Sequence, residues 1–194
     1  MSSYIVGATA FFIGFTIMSV ELICGKLLTP YFGASIYVWG SVIFTFMLSL
    51  AIGYLLGGKI SLYNPSLIKL GAIVFCGGLA LLPITQSTKI LDLFYFNDPR
   101  YGSLVMSFIL FSLPTCLMGI VSPYCIRLLI STKSSVGMTA GKLYFLSTLG
   151  SAVGTIGTAF YLVLWIELDK IILLLSGCTL TSGLIIVMLS KIID

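Results

Sequence analysis

The chain has 194 residues, of which 59% are hydrophobic and 8% charged, with a net charge of +4. A soluble domain is roughly half apolar and about a quarter charged, so no soluble core could absorb this composition and an integral membrane protein is expected. The ten Lys and Arg residues are scattered at the ends of apolar runs, which suits orientation in a bilayer and excludes a nucleic-acid partner.

Windows of about 20 residues, the length that crosses the hydrocarbon core, place helices near 4–28, 37–57, 67–86, 103–130, 139–165 and 170–190. The first begins MSSYIVGATAFFIGF, with no basic segment ahead of it and an apolar run longer than a cleaved signal uses, so it is expected to persist in the mature protein. Gly7, Phe11, Gly14, Met18, Glu21 and Gly25 follow at spacings of 4, 3, 4, 3 and 4, which puts them on one helical face. Glu21 is the one acid well inside a span. A carboxylate there is costly unless paired, protonated or wetted, so Glu21 reads as a site for a cation or proton, or else as a structural ion pair or helix-end anchor. Lys26, five residues on, could snorkel to the interface.

The second helix carries Ser41, Thr45, Ser49, Gly53 and Gly57 at every fourth residue, a stripe suited to tight helix contact. Both stripes are expected to face the bundle interior. Between the third and fourth spans, Leu93 to Tyr101 reads as an aromatic belt and turn. Pro114 and Pro123 in the fourth helix each remove a backbone donor, marking a moving or gating element or a static kink. Arg127 closes that helix. The fifth helix is the most polar, with Gly141, Tyr144, Thr148, Ser151, Thr155 and Thr158 on one face and Gly150, Gly154 and Gly157 on another, so it is expected to avoid lipid on every side. Small residues joining helices and a hydroxyl-lined path for a polar solute are compatible accounts of it. Lys142, Glu167 and Asp169 lie near the interfaces, where charged anchors are routine.

Counting loop charges, the side with both termini carries Lys59, Lys69, Arg127, Lys133, Lys142 and Lys191, and the other carries Lys26, Lys89, Arg100 and Lys170. The positive-inside rule then makes both termini cytoplasmic. Cys24, Cys76, Cys116, Cys125 and Cys178 fall in or at the ends of the apolar helices with no C-x-x-C pair, as small packing residues. With no histidine in the chain, histidine-dependent catalysis and the commonest metal ligand are excluded. No metal or other cofactor is expected.

A shift of 101 residues lays Cys24-Gly25-Lys26-Leu27-Leu28 over Cys125-Ile126-Arg127-Leu128-Leu129 and matches Gly40 to Gly141, Phe44 to Phe145, Leu48 to Leu149 and Gly53 to Gly154. Each copy, about 4–86 and 103–190, holds three helices, so the second enters the membrane from the opposite side. That is an inverted repeat of the kind found within each half of a major-facilitator transporter. It also sends Lys26 and Arg127 towards opposite faces.

Two paired stretches, ELICGKLLTPYFGASIYVWGSV with LAIGYLLGGKI and LPTCLMGIVSPYCIRLL with VGMTAGKLYFLSTLGSAVGTIGT, resemble the membrane domain of the fused major-facilitator/spermidine synthase family. The resemblance covers roughly residues 14–60 and 113–160 and points to Glu21, Lys26, Pro30, Gly33, Pro114, Gly119, Pro123, Arg127, Gly137, Gly141, Tyr144 and Gly150. Ser147 stands where the family usually has Asn, and the Asp expected soon after the second-helix glycines is missing from Gly57 to Leu62. The aminopropyltransferase half that such helices accompany has no counterpart here, so the chain is not expected to be an enzyme.

The expectation is therefore an all-α membrane protein of six helices in one domain, half of a major-facilitator-type bundle, in a cell inner membrane. It would bind or move a small polar solute, polyamine-like by the resemblance, through Glu21, Lys26, Thr45, Ser49, Arg127, Tyr144, Thr148 and Ser151, with Pro114 and Pro123 as gating positions. Six helices form one wall of such a transporter, so a parallel homodimer would complete the pathway. The other class is a membrane anchor or scaffold for a separately encoded synthase or another complex. A third is an intramembrane enzyme using Cys and Glu.

Overall fold

A computed structural model describes residues 2–94, 96, 98–130 and 136–193. Lys133 of the charge count, and Tyr95 and Asn97 of the aromatic turn, lie outside the described residues. The described chain is helical, and six of its helical stretches are long and apolar enough to cross a membrane: this is a multi-pass membrane protein. The physical reason is that hydrocarbon offers the backbone no hydrogen-bond partner, so each N–H and C=O must be satisfied within its own segment.

Helix α1 runs Ser2–Phe32 and α2 Ile36–Ile60; α3 spans Leu67–Leu81 and passes through a 3-10 turn, Leu82–Gln86, into the short α4, Ser87–Asp92. Helix α5 is Pro99–Leu129 and α6 is Val136–Gly157, continued by a π-helical turn, Thr158–Leu162, and the short α7, Val163–Trp165. Helix α8, Leu168–Ile193, ends the described chain.

All six spans exceed the sequence-derived limits at one or both ends. Helix α1 continues over Pro30 and stops at Gly33, whose φ of +84° is open to glycine at little cost and whose N–H reaches the Thr29 carbonyl at 2.9 Å. The third span turns at Pro83, which cannot donate, and carries on to Asp92 instead of ending near residue 86. Part of the expected aromatic turn is helix as well, because Asp98 accepts from the Arg100 N–H at 2.9 Å and Pro99 fills the first position, where no donor is needed.

Arg100 also pairs with Asp98 through its side chain at 2.8 Å, and that hydrogen bond holds the Asp98 carboxyl below the usual carboxylate range. Because the folded value is the lower one, the contribution is present at neutral pH and fades as acid carries the solution through it. Thermal melts from pH 7 downward are expected to lose a small increment below about pH 4 that Asp98→Asn lacks throughout. The pair is exposed, so the increment is modest.

The helices pack in three main pairs, α1 with α6, α2 with α5 and α3 with α8. In the first, a Cβ on Gly150 or Gly154 would run into the Phe11 or Phe15 carbonyl; in the second, Gly53 and Gly57 stand the same way against the Cys116 and Ile120 carbonyls. Contacts that advance together along both chains make these pairs parallel. The third is antiparallel, since Gly71 meets Val187 and Gly78 meets Leu180. Helix α5 sits centrally, also touching α1 and α3, and buries Phe111 against Phe46 of α2 at 6.3 Å between ring centroids.

Tyr124, fully buried on α5, fastens the α2–α3 turn: its hydroxyl accepts from the Ser66 N–H at 3.0 Å. Ser66 in turn caps α3 by accepting from the Lys69 N–H at 3.3 Å. Tyr124→Phe keeps the ring and drops this bond, so a loss of about 0.5–1.5 kcal/mol is expected in detergent unfolding.

Candidate functional site

Glu21 lies half-buried on α1, one helical turn before Gly25. A Cβ at Gly25 would come within 2.6 Å of the Trp39 ring of α2, so the glycine is what lets that indole lie against α1. Among the described residues the ion pairs are Arg100 with Asp98 and Lys170 with Glu167, and Glu21 belongs to neither. Lys26 is exposed on the edge of a cavity towards the C-terminal end of α1. Arg127 is exposed in the last turn of α5, at the opposite end of the bundle, where a cation complements the carbonyl end of the helix.

The stripe on α2 faces α5. Ser41 shares a hydrogen bond of 3.1 Å with Ser103, and Thr45, Ser49, Gly53 and Gly57 are buried along the same seam. One turn beyond the Ser41–Ser103 bond on each helix, the hydroxyls of Thr45 and Ser107 are fully buried and have no hydrogen-bond partner among the described residues. Thr45 and Ser49 thus sit buried on the α2 face that packs against α5.

On α6 the polar residues divide. Ser151 is half-buried and donates to the Gly14 carbonyl at 3.2 Å, which ties α6 to the glycine face of α1. Tyr144 and Thr148 are exposed on the outer side. The fifth span, expected to be covered all round, is the least buried of the six. Its small residues let α1 approach on one side, and among the described residues the other side, with Tyr144 and Thr148, is exposed. An added Cβ at Gly137 or Gly141 would meet nothing within 4 Å.

Pro114 is buried and Pro123 half-buried, and α5 remains helical through both. The Pro123 ring occupies the space that Gly57 leaves free on α2, so it is a packing contact as well as a missing donor. Of the expected solute contacts, then, Ser151 meets α1, Thr45 and Ser49 meet α5, Tyr144 and Thr148 look outward, and Lys26 and Arg127 mark the two ends.

Trp39 was missed by sequence reasoning. It lies on the next helix, across the turn that follows α1, and spacing across a turn does not specify a contact. Also missed was a cavity of about 680 Å³ where Lys26 and Thr88 face the Val163–Asp169 connection, since Glu167 and Asp169 read merely as anchors. No protein-family model, curated protein or solved structure matches the chain.

Proposed function

We propose that this membrane protein binds and moves a small polar solute, cationic and polyamine-like, with Glu21 as the charge that receives it. Glu21 carries the reading: a half-buried carboxylate in a spanning helix, without an ion pair among the described residues, is costly to keep unless a cation or proton visits it. Both termini would be cytoplasmic and the membrane a cell inner membrane. The resemblance to the major-facilitator/spermidine synthase membrane domain supplies the polyamine class.

The two-copy plan fits the packing. Exchanging the first three spans for the last three turns the α1–α6 pair into the α2–α5 pair and returns α3–α8 to itself. At residue level, the contact of Gly154 with Phe15 becomes that of Gly53 with Cys116 under the same 101-residue shift that aligns the sequence. An inverted repeat accounts for both correspondences. The test is a binding screen of polyamines and amino acids on wild type and Glu21→Gln in nanodiscs. Binding by both proteins alike would remove Glu21 from the site.

The uncovered side of α6, with Gly137, Gly141, Tyr144 and Thr148, supports a protein neighbour there. In this reading it is a second copy in parallel. Cysteine crosslinking through Met138→Cys in native membranes is expected to give a covalent dimer. No covalent dimer, with crosslinks to another protein instead, would favour an anchor or scaffold for a separately encoded synthase or other complex.

A further inference from the structure

The cavity at the α1 end that carries Lys26 joins three parts of the chain: Lys26 and Leu27 of α1, Thr88 in the first turn of α4, and the run from Val163 to Asp169 that takes in α7, the break at Ile166 and Glu167, and the start of α8. Thr88 is tied to α1 by the Tyr31 hydroxyl, which donates to its carbonyl at 3.4 Å, and the lining includes Ile166, the extended residue that interrupts the helix. At about 680 Å³ it is the size of a small-ligand site.

Its charges are divided. Glu167 is answered by Lys170 at 3.1 Å, but neither Lys26 nor Asp169 has an opposite charge within 4.0 Å among the described residues. A cation and an anion thus border one cavity without closing on each other, which is the complement of a molecule that itself carries both signs. Trp165, 85% exposed, stands at the rim beside the exposed Leu164, as an indole does at the headgroup level of a bilayer.

We propose that this cavity holds a zwitterion bearing a phosphate and a primary ammonium, presented by phosphatidylethanolamine of the surrounding leaflet. Lys26 and the Thr88 hydroxyl face the phosphate. Asp169 accepts from the ammonium, and the Trp165 face attracts it. Leu164 and Val163 offer apolar surface to the start of the acyl chains. A primary ammonium donates charge-assisted hydrogen bonds to a carboxylate, whereas the phosphatidylglycerol headgroup has neutral hydroxyls only. The inference is independent of solute transport through Glu21.

The test is native mass spectrometry of the whole chain released from nanodiscs containing equal phosphatidylethanolamine and phosphatidylglycerol. Wild type is expected to retain the ethanolamine lipid about tenfold over the glycerol lipid. Lys26→Gln and Asp169→Asn should each abolish the preference. Saturable binding of soluble O-phosphoethanolamine, lost in the same variants, would support the site with a free solute as the source. Equal retention of the two lipids by wild type, or a preference unchanged in both variants, overturns the proposal. The wild-type preference needs no variant, so a substitution that fails to fold does not spoil the test.

Discussion

Gly154→Val is expected to separate α1 from α6 and to abolish the folded, monodisperse protein in mild detergent. The first carbon of any side chain at this position would meet the Phe15 backbone, and a backbone carbonyl cannot rotate aside as a side chain can. Overpacking in a tight core typically costs about 1–3 kcal/mol. A helix-on-helix backbone contact belongs at the upper end, because relief requires moving a whole span. Opposing this is the better helix propensity of a residue with a side chain, at most about 1 kcal/mol, so the clash decides the sign. Gly53→Val, against the Cys116 carbonyl of α5, should fail in the same way.

Gly40→Ala and Gly141→Ala provide the comparison. These positions also match under the 101-residue shift, yet an added Cβ at either meets nothing within 4 Å. Both are expected to stay within about 0.5 kcal/mol of wild type or to gain slightly. The measurement is thermal unfolding followed by size-exclusion chromatography and helical circular dichroism. A Gly154→Val protein as stable as Gly141→Ala would show that α1 and α6 do not meet where their glycines lie.

Glu21→Gln is the substitution with the largest expected effect on function. Charged hydrogen bonds contribute about 1.5–3 kcal/mol, so affinity for a cationic solute should fall by roughly ten- to a hundredfold. Stability should move the other way or hold. An ionised acid at the centre of a span costs about 2.5–3.5 kcal/mol on insertion scales, and the amide escapes most of that. The opposite pattern, unchanged affinity with lower stability, would assign Glu21 to holding α1 in place. Paired measurements of binding and melting in the same nanodiscs separate the two roles.

Much of the seam chemistry could be read from spacing. Ser41, Thr45, Ser49, Gly53 and Gly57 recur every fourth residue, and the structure lays that stripe against α5. Gly14, Gly150 and Gly154 likewise form the contact of α1 with α6. Helix ends were less legible. Pro83 and Pro99 both punctuate the sequence, yet one only jogs the third span through a 3-10 turn and the other opens α5 at its first position, where a missing donor costs nothing.

The functional residues divided along a similar line. Glu21 stands out in sequence because a charge in an apolar run has no cheap explanation, whereas Trp39 beside Gly25 and the opposed Lys26 and Asp169 come from separate spans that only packing brings together. Hydropathy and periodicity are local properties, summed over one segment, and they determined that six helices cross the membrane and which of their faces are small enough to touch. Which face meets which helix depends on carbonyls, rings and glycines from distant segments fitting at one depth. For that reason the tertiary structure alone decided that α6 would close on α1, that Thr45 would be sealed against α5, and that Tyr144 and Thr148 would be left uncovered.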